Sequence, residues 1–93
     1  MPRPRKFRRV RGNFPATFFK PAGIPLCTLK EISLARDEVE AIRLKDVENL
    51  DQTAAAKKMK VSQSTFQRVL STARKKISAA IIGGKAIRIE ADG

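Results

Sequence analysis

Ninety-three residues carry 20 Lys or Arg against 9 Asp or Glu, a formal charge of +11, with one Cys and no His, Trp or Tyr. That length holds one small domain around a largely aliphatic core. The composition excludes an intrachain disulfide, a Cys/His zinc site and a membrane-spanning run, and argues against an enzyme or a bound cofactor, while the surplus of positive charge gathers a protein on a polyanion.

Residues 1–11, MPRPRKFRRVR, hold six basic residues and two prolines. Too polar to build a core alone, they are expected, as residues 1–12, to form a flexible basic arm. Arg3, Arg5, Lys6, Arg8 and Arg9 would lie in a minor groove or along the phosphates, and an RNA-binding tail is the competing use. Residues 13–93 would form a single domain behind it. No apolar stretch follows the basic start to make a secretory signal, so a cytoplasmic, nucleoid-associated location is expected.

Pro15, Pro21 and Pro25 forbid a helix through residues 12–27. Thr17, Phe18 and Phe19 read as a short strand, Pro21 to Gly23 as a turn, and Phe18 or Phe19 as packing on the helical core. Cys27 reads as a small, partly buried hydrophobe. Residues 29–47 read as the first helical region, opened by Thr28 or Ser33. Asp37, Glu38 and Glu40 would be solvated near the positive helix start. Val39, Ile42 and Val47 would face the core, and Glu40 would pair on the surface with Arg43 or Lys45.

Residues 50–82, LDQTAAAKKMKVSQSTFQRVLSTARKKISAAII, have the proportions of a helix-turn-helix spanning 51–78. Asp51 is placed to cap a helix over 52–59. Lys60 and Val61 form the turn, with Val61 an apolar plug, and Ser62 caps a longer helix. Phe66, Val69, Leu70, Ala73, Ile77, Ala80 and Ile81 recur at the helical period. The opposite face carries Gln63, Ser64, Gln67, Arg68, Ser71, Arg74, Lys75 and Ser78, without a carboxylate. Gly83 and Gly84 stop the helix. KAIRIE, residues 85–90, alternates as a strand whose evident partner is residues 17–20. The resulting two-stranded ribbon of the two chain ends forms within one subunit or between two.

Charge is partitioned along the chain. Residues 1–30 have eight basic groups and no acidic one, residues 31–51 seven acidic against three basic, and residues 52–88 nine basic and none acidic. A solvated helix face mixes signs, whereas single-sign blocks point to a polyanion. The acidic segment is expected to face away from it.

Taken together, MPRPRKFRRV, TFFKPAGIPL, DEVEAIRLKDVENL, VSQSTFQRVLSTARKKI and GKAIRIE resemble the bacterial and archaeal family of predicted DNA-binding proteins known as domain of unknown function 134. The combination spans almost the whole chain. The helix-turn-helix is similar in turn to region 4 of the sigma-70 family, which implies a mainly α fold of three or four helices, with residues 52–59 as support and residues 62–78 containing the recognition helix. The sequence departs from that pattern at three places. Lys60 stands where Gly is common, a cost of about 1 kcal/mol if the residue is left-handed. Asp51 stands where Ser is common, and Ala35 where Thr is common, which leaves the first helix less well capped.

The expected function is sequence-specific binding of double-stranded DNA in transcriptional regulation. Gln63, Ser64, Gln67 and Arg68, in the early turns of the second helix, would read bases, Gln on adenine and Arg on guanine. Lys57, Lys58, Lys60, Ser62, Arg74, Lys75 and Lys76 would hold the backbone. Ile77, Ile81, Ile82 and the KAIRIE strand are the expected contacts of a homodimer. Two alternatives compete: an RNA-binding factor of the ribosome or tRNA, which lacks the aromatic sheet or glycine loop of common RNA modules, and an adaptor that contacts RNA polymerase.

Overall fold

The computed structural model describes residues 14–90. The basic arm expected over 1–12, including Arg3, Arg5, Lys6, Arg8 and Arg9, lies outside the described residues. The order of elements is β1 (Phe18–Phe19), a 3-10 turn (Leu26–Thr28), β2 (Glu31–Leu34), α1 (Arg36–Ile42), a π turn (Arg43–Val47), α2 (Gln52–Met59), α3 (Gln63–Gly83) and β3 (Ala86–Ile89). The architecture is mainly helical with one small sheet.

That sheet has three strands, in the order β1-β3-β2. The antiparallel pairing of the chain's two ends is present within one subunit, Phe18 opposite Arg88 and Phe19 opposite Ile87. The expected two-stranded ribbon gains β2, which runs parallel to β3 from Glu31 opposite Ala86 to Leu34 opposite Ile89. Residues 31–34, EISL, place Ile and Leu at period two and were hidden in the acidic region read as helix. α1 therefore opens later than expected. Ser33 is a strand residue, and the Thr28 hydroxyl donates to the Pro25 carbonyl at 2.9 Å. The cap position is Ala35, which has no side-chain acceptor, and only the return half of a capping box forms: the Ala35 N–H donates to Glu38 Oε1 at 2.9 Å.

The core joins Ala41, Leu44, Ala55, Ala56, Met59, Phe66, Val69 and Leu70, with Ile42, Leu50 and Val61 packed against it. The C-terminal half of α3 rests on the sheet, where Leu34, Ala73, Ala80, Ala86 and Ile89 are buried. Burial of so much aliphatic surface, at about 25 cal/mol per Å², is the main force on the domain.

Several side chains lie elsewhere than expected. Val47 is exposed because the π turn, with Glu48 N–H bonding the Arg43 carbonyl at 2.8 Å, widens the helix and rotates Val47 off the Leu44 face. Asn49, at φ 65°, then reverses the chain toward α2. Glu40 and Asp37 are buried instead of solvated. Glu40 holds Arg43 through two hydrogen bonds of 2.8 Å, which raise the Arg43 pKa. Neither Phe18 nor Phe19 is core: Phe18 is half-buried under the Arg88 guanidinium, 4.5 Å from its centroid, and Phe19 is exposed. Cys27 is exposed, since the 3-10 turn holds it at the surface. Ile81 also faces solvent, because α3 outruns α1 and α2 and meets only a short sheet there.

Candidate nucleic-acid interface

α2 and α3 are joined as the sequence prescribes. Asp51 Oδ1 accepts from the Ala54 N–H at 2.8 Å, and Ser62 Oγ from the Thr65 N–H at 3.2 Å. Each satisfies a donor that the first turn leaves open. Between them Lys60 is left-handed, φ 57° and ψ 45°, and its N–H returns to the Lys57 carbonyl at 3.1 Å. The Val61 N–H reaches the Ala56 carbonyl at 3.1 Å while its side chain closes the core. Ala55 and Ala56, both buried, let the two helices approach.

Successive residues of an α-helix are about 100° apart, which sorts the polar face of α3 into three strips. Ser64, Arg68, Ser71 and Lys75 form the outward one, and all four are exposed. Gln63 and Gln67 flank α2: Gln63 Nε2 donates to Thr53 Oγ1 at 3.1 Å, and Gln52 Nε2 donates to Gln67 Oε1 at 2.7 Å. Arg74 and Lys76 are about 200° apart around the helix and meet two carboxylates of the acidic segment, one from the π turn and one from α1. Arg74 binds Asp46 through both Nε, at 3.2 Å, and Nη2. Lys76 Nζ reaches the Glu38 carboxylate at 3.0 and 3.1 Å. α1 and its π turn thus cross beneath α3 with an ion pair on each flank. The Arg74 hydrogen bonds hold the Asp46 carboxyl below the usual carboxylate range and raise Arg74 in turn.

Of the sequence-nominated backbone contacts, Lys57, Lys58, Lys60, Ser62 and Lys75 are exposed along the end of α2, the turn and α3. Arg74 and Lys76 already hold carboxylates, so α3 keeps Arg68 and Lys75 as its outward cations. Sequence reasoning missed Gln52 and Thr53, the first two residues of α2. Helical periodicity within one helix carries no signal for a bond made between two. A shallow groove of about 210 Å³ lies at the far end of α3, lined in part by Phe19, Pro21, Ile81 and Ile87.

Residues 1–93 match the family described as Protein of unknown function DUF134. Among similar curated proteins, a UPF0251 protein of Caldanaerobacter subterraneus subsp. tengcongensis is 54% identical over 90 residues, 97% of this chain and 76% of that protein. One from Desulforudis audaxviator is 53% identical, over 97% of this chain and 59% of its own length. A third, from Halothermothrix orenii, is 57% identical over 97% of this chain and 67% of its own. No solved structure matches. Among the described residues, no helix is long and apolar enough to cross a membrane.

Proposed function

The chain belongs to the family described as Protein of unknown function DUF134, and we propose that it is a sequence-specific DNA-binding protein, a transcriptional regulator whose α2–turn–α3 unit acts as a helix-turn-helix of the sigma-70 region 4 kind. The observation that carries this is the outward strip Ser64–Arg68–Ser71–Lys75, together with the exposed Lys57, Lys58 and Lys60, in a stretch of sequence without a carboxylate. An α-helix fits the major groove of B-DNA, and its early turns reach the base edges. Ser64 and Arg68 then read bases, with Arg68 bidentate to guanine. Gln63 and Gln67 read beside them. Lys75 and the α2 lysines hold phosphates, and the arm of Arg3, Arg5, Lys6, Arg8 and Arg9 follows the minor groove or backbone.

Ile81 and Ile82, at 70% and 87% exposure, suit a second copy, and regulators of this type commonly read two half-sites. Selection of bound duplexes from a random library, at near-physiological salt and against a structured RNA pool, tests both points. A reproducible motif is expected, palindromic for a dimer. Binding without a motif, lost steeply as salt rises, would reduce the protein to a general phosphate grip. Enrichment of RNA would replace the proposal with an RNA-binding role.

A further inference from the structure

The bond between Gln52 and Gln67 joins two exposed-side amides from different helices, and it fixes what each has left to offer. Gln52 Nε2 donates to Gln67 Oε1 at 2.7 Å. Gln52 therefore keeps its whole Oε1 acceptor and one Nε2 hydrogen, and Gln67 keeps both Nε2 hydrogens and one Oε1 lone pair. One turn earlier on α3, Gln63 Nε2 donates to Thr53 Oγ1 at 3.1 Å and holds the start of α2 against the same flank. Building on the DNA-binding function proposed above, we infer that Gln52 and Gln67 form one composite reader of an A·T pair. Gln67 donates to adenine N7, while Gln52 accepts from the adenine N6 amino group.

Adenine is the base that presents an acceptor beside a donor in the major groove. A single Gln meets that pattern with its own oxygen and nitrogen. Here one lone pair of Gln67 Oε1 is taken by Gln52, so Gln52 Oε1, with both of its lone pairs open among the described residues, is the freer acceptor and takes the acceptor half. Gln52 belongs to the supporting helix, and its place at the first position of α2 brings it beside α3. A hydrogen bond serving only to tie α2 to α3 would contribute to stability and leave base preference untouched.

The test repeats the duplex selection with Gln52→Ala, Gln67→Ala, the double variant and Gln52→Glu, each checked for folding by its melting curve. Wild type is expected to select an adenine at one position, worth roughly 5- to 150-fold over other bases. Gln52→Ala and Gln67→Ala should relax that same position, and the double variant should lose little more than either. Gln52→Glu is the sharper probe. An acid is favoured in a first helical turn, so the fold is kept, but its carboxylate cannot donate to Gln67. The Gln67 amide then turns its hydrogens to the carboxylate and its oxygen outward. Two acceptors would face the groove, and preference should move from adenine to cytosine, whose N4 donates. If Gln52→Ala keeps the wild-type motif, or loses affinity equally on every sequence, the composite reader is overturned while the DNA-binding function stands. If wild type itself enriches no motif, the function proposed above fails first.

Discussion

Lys60 shows how one residue carries two opposed demands. Its φ of 57° lies in the left-handed region, where a Cβ crowds the following carbonyl and costs about 1–2 kcal/mol. Glycine would relieve that crowding, at some cost from a freer unfolded chain. Lys60→Gly is therefore expected to stabilise by about 0.5–1 kcal/mol and to raise the melting temperature by a few degrees, while weakening DNA affinity on all sequences through the loss of one exposed cation. A lower melting temperature would show that the Lys stem packs usefully. Arg68 and Lys75 divide the outward strip in the same spirit. Arg68→Ala should relax preference at one base by roughly 1–3 kcal/mol. Lys75→Ala should weaken every sequence alike and lower the salt slope of binding by about 0.9. Binding isotherms on matched and mismatched duplexes at several salt concentrations separate the two, and a uniform loss for Arg68→Ala would remove it from the base readers.

α2 and α3 could be read from the sequence nearly residue by residue, because their signals are local: Asp51 and Ser62 at the caps, one sustained apolar period, and two glycines at the end, the second left-handed at φ 64°. α1 could not, because its boundaries depend on distant partners. The EISL strand is held by β3, more than fifty positions along the chain, and no local pattern announces that pairing. The Glu40–Arg43 pair follows helical spacing and is one of the two pairings expected for Glu40, but its burial was not expected, since the charge gave no hint that Leu44 and Ala41 would draw it under α3. The hydrogen bond between Gln52 and Gln67 was invisible for the same reason. The cap of α1 is the element's weak point, with a carboxylate answering Ala35 and no hydroxyl returning the bond. Ala35→Ser would complete the box by accepting from the Glu38 N–H, and about 0.5–1 kcal/mol of added stability is expected in a denaturation series. No gain would mean that the buried position leaves the hydroxyl no acceptable rotamer.

Across the molecule, the acidic segment reaches under α3 and holds two of its cations. Asp46 and Glu38 occupy Arg74 and Lys76, so the positive field of α3 is trimmed at the flanks and left to the outward strip, which in the proposed DNA complex would favour base reading over a general phosphate grip. Asp46→Asn tests this directly. At 51% and 38% side-chain exposure the Arg74–Asp46 pair is largely solvated, so its removal should change stability at neutral pH by no more than about 1 kcal/mol. The freed Arg74 should instead find a phosphate, raising affinity for non-specific duplex and steepening the salt slope by about 0.9. The same substitution has a signature in acid. The carboxyls of Asp46 and of Glu31, which pairs with Arg88 across the sheet, are both held below their usual range by hydrogen bonds from arginine. A group whose pKa is lowered by folding stabilises the folded state above its unfolded value, near 4, and loses that contribution as pH falls through its folded value. Melting temperature should therefore decline as pH drops below about 4, and Asp46→Asn, with no carboxyl at that site to protonate, should decline less steeply. An unchanged salt slope together with an unchanged acid limb would mean that Arg74 gains nothing from Asp46 and nothing from DNA.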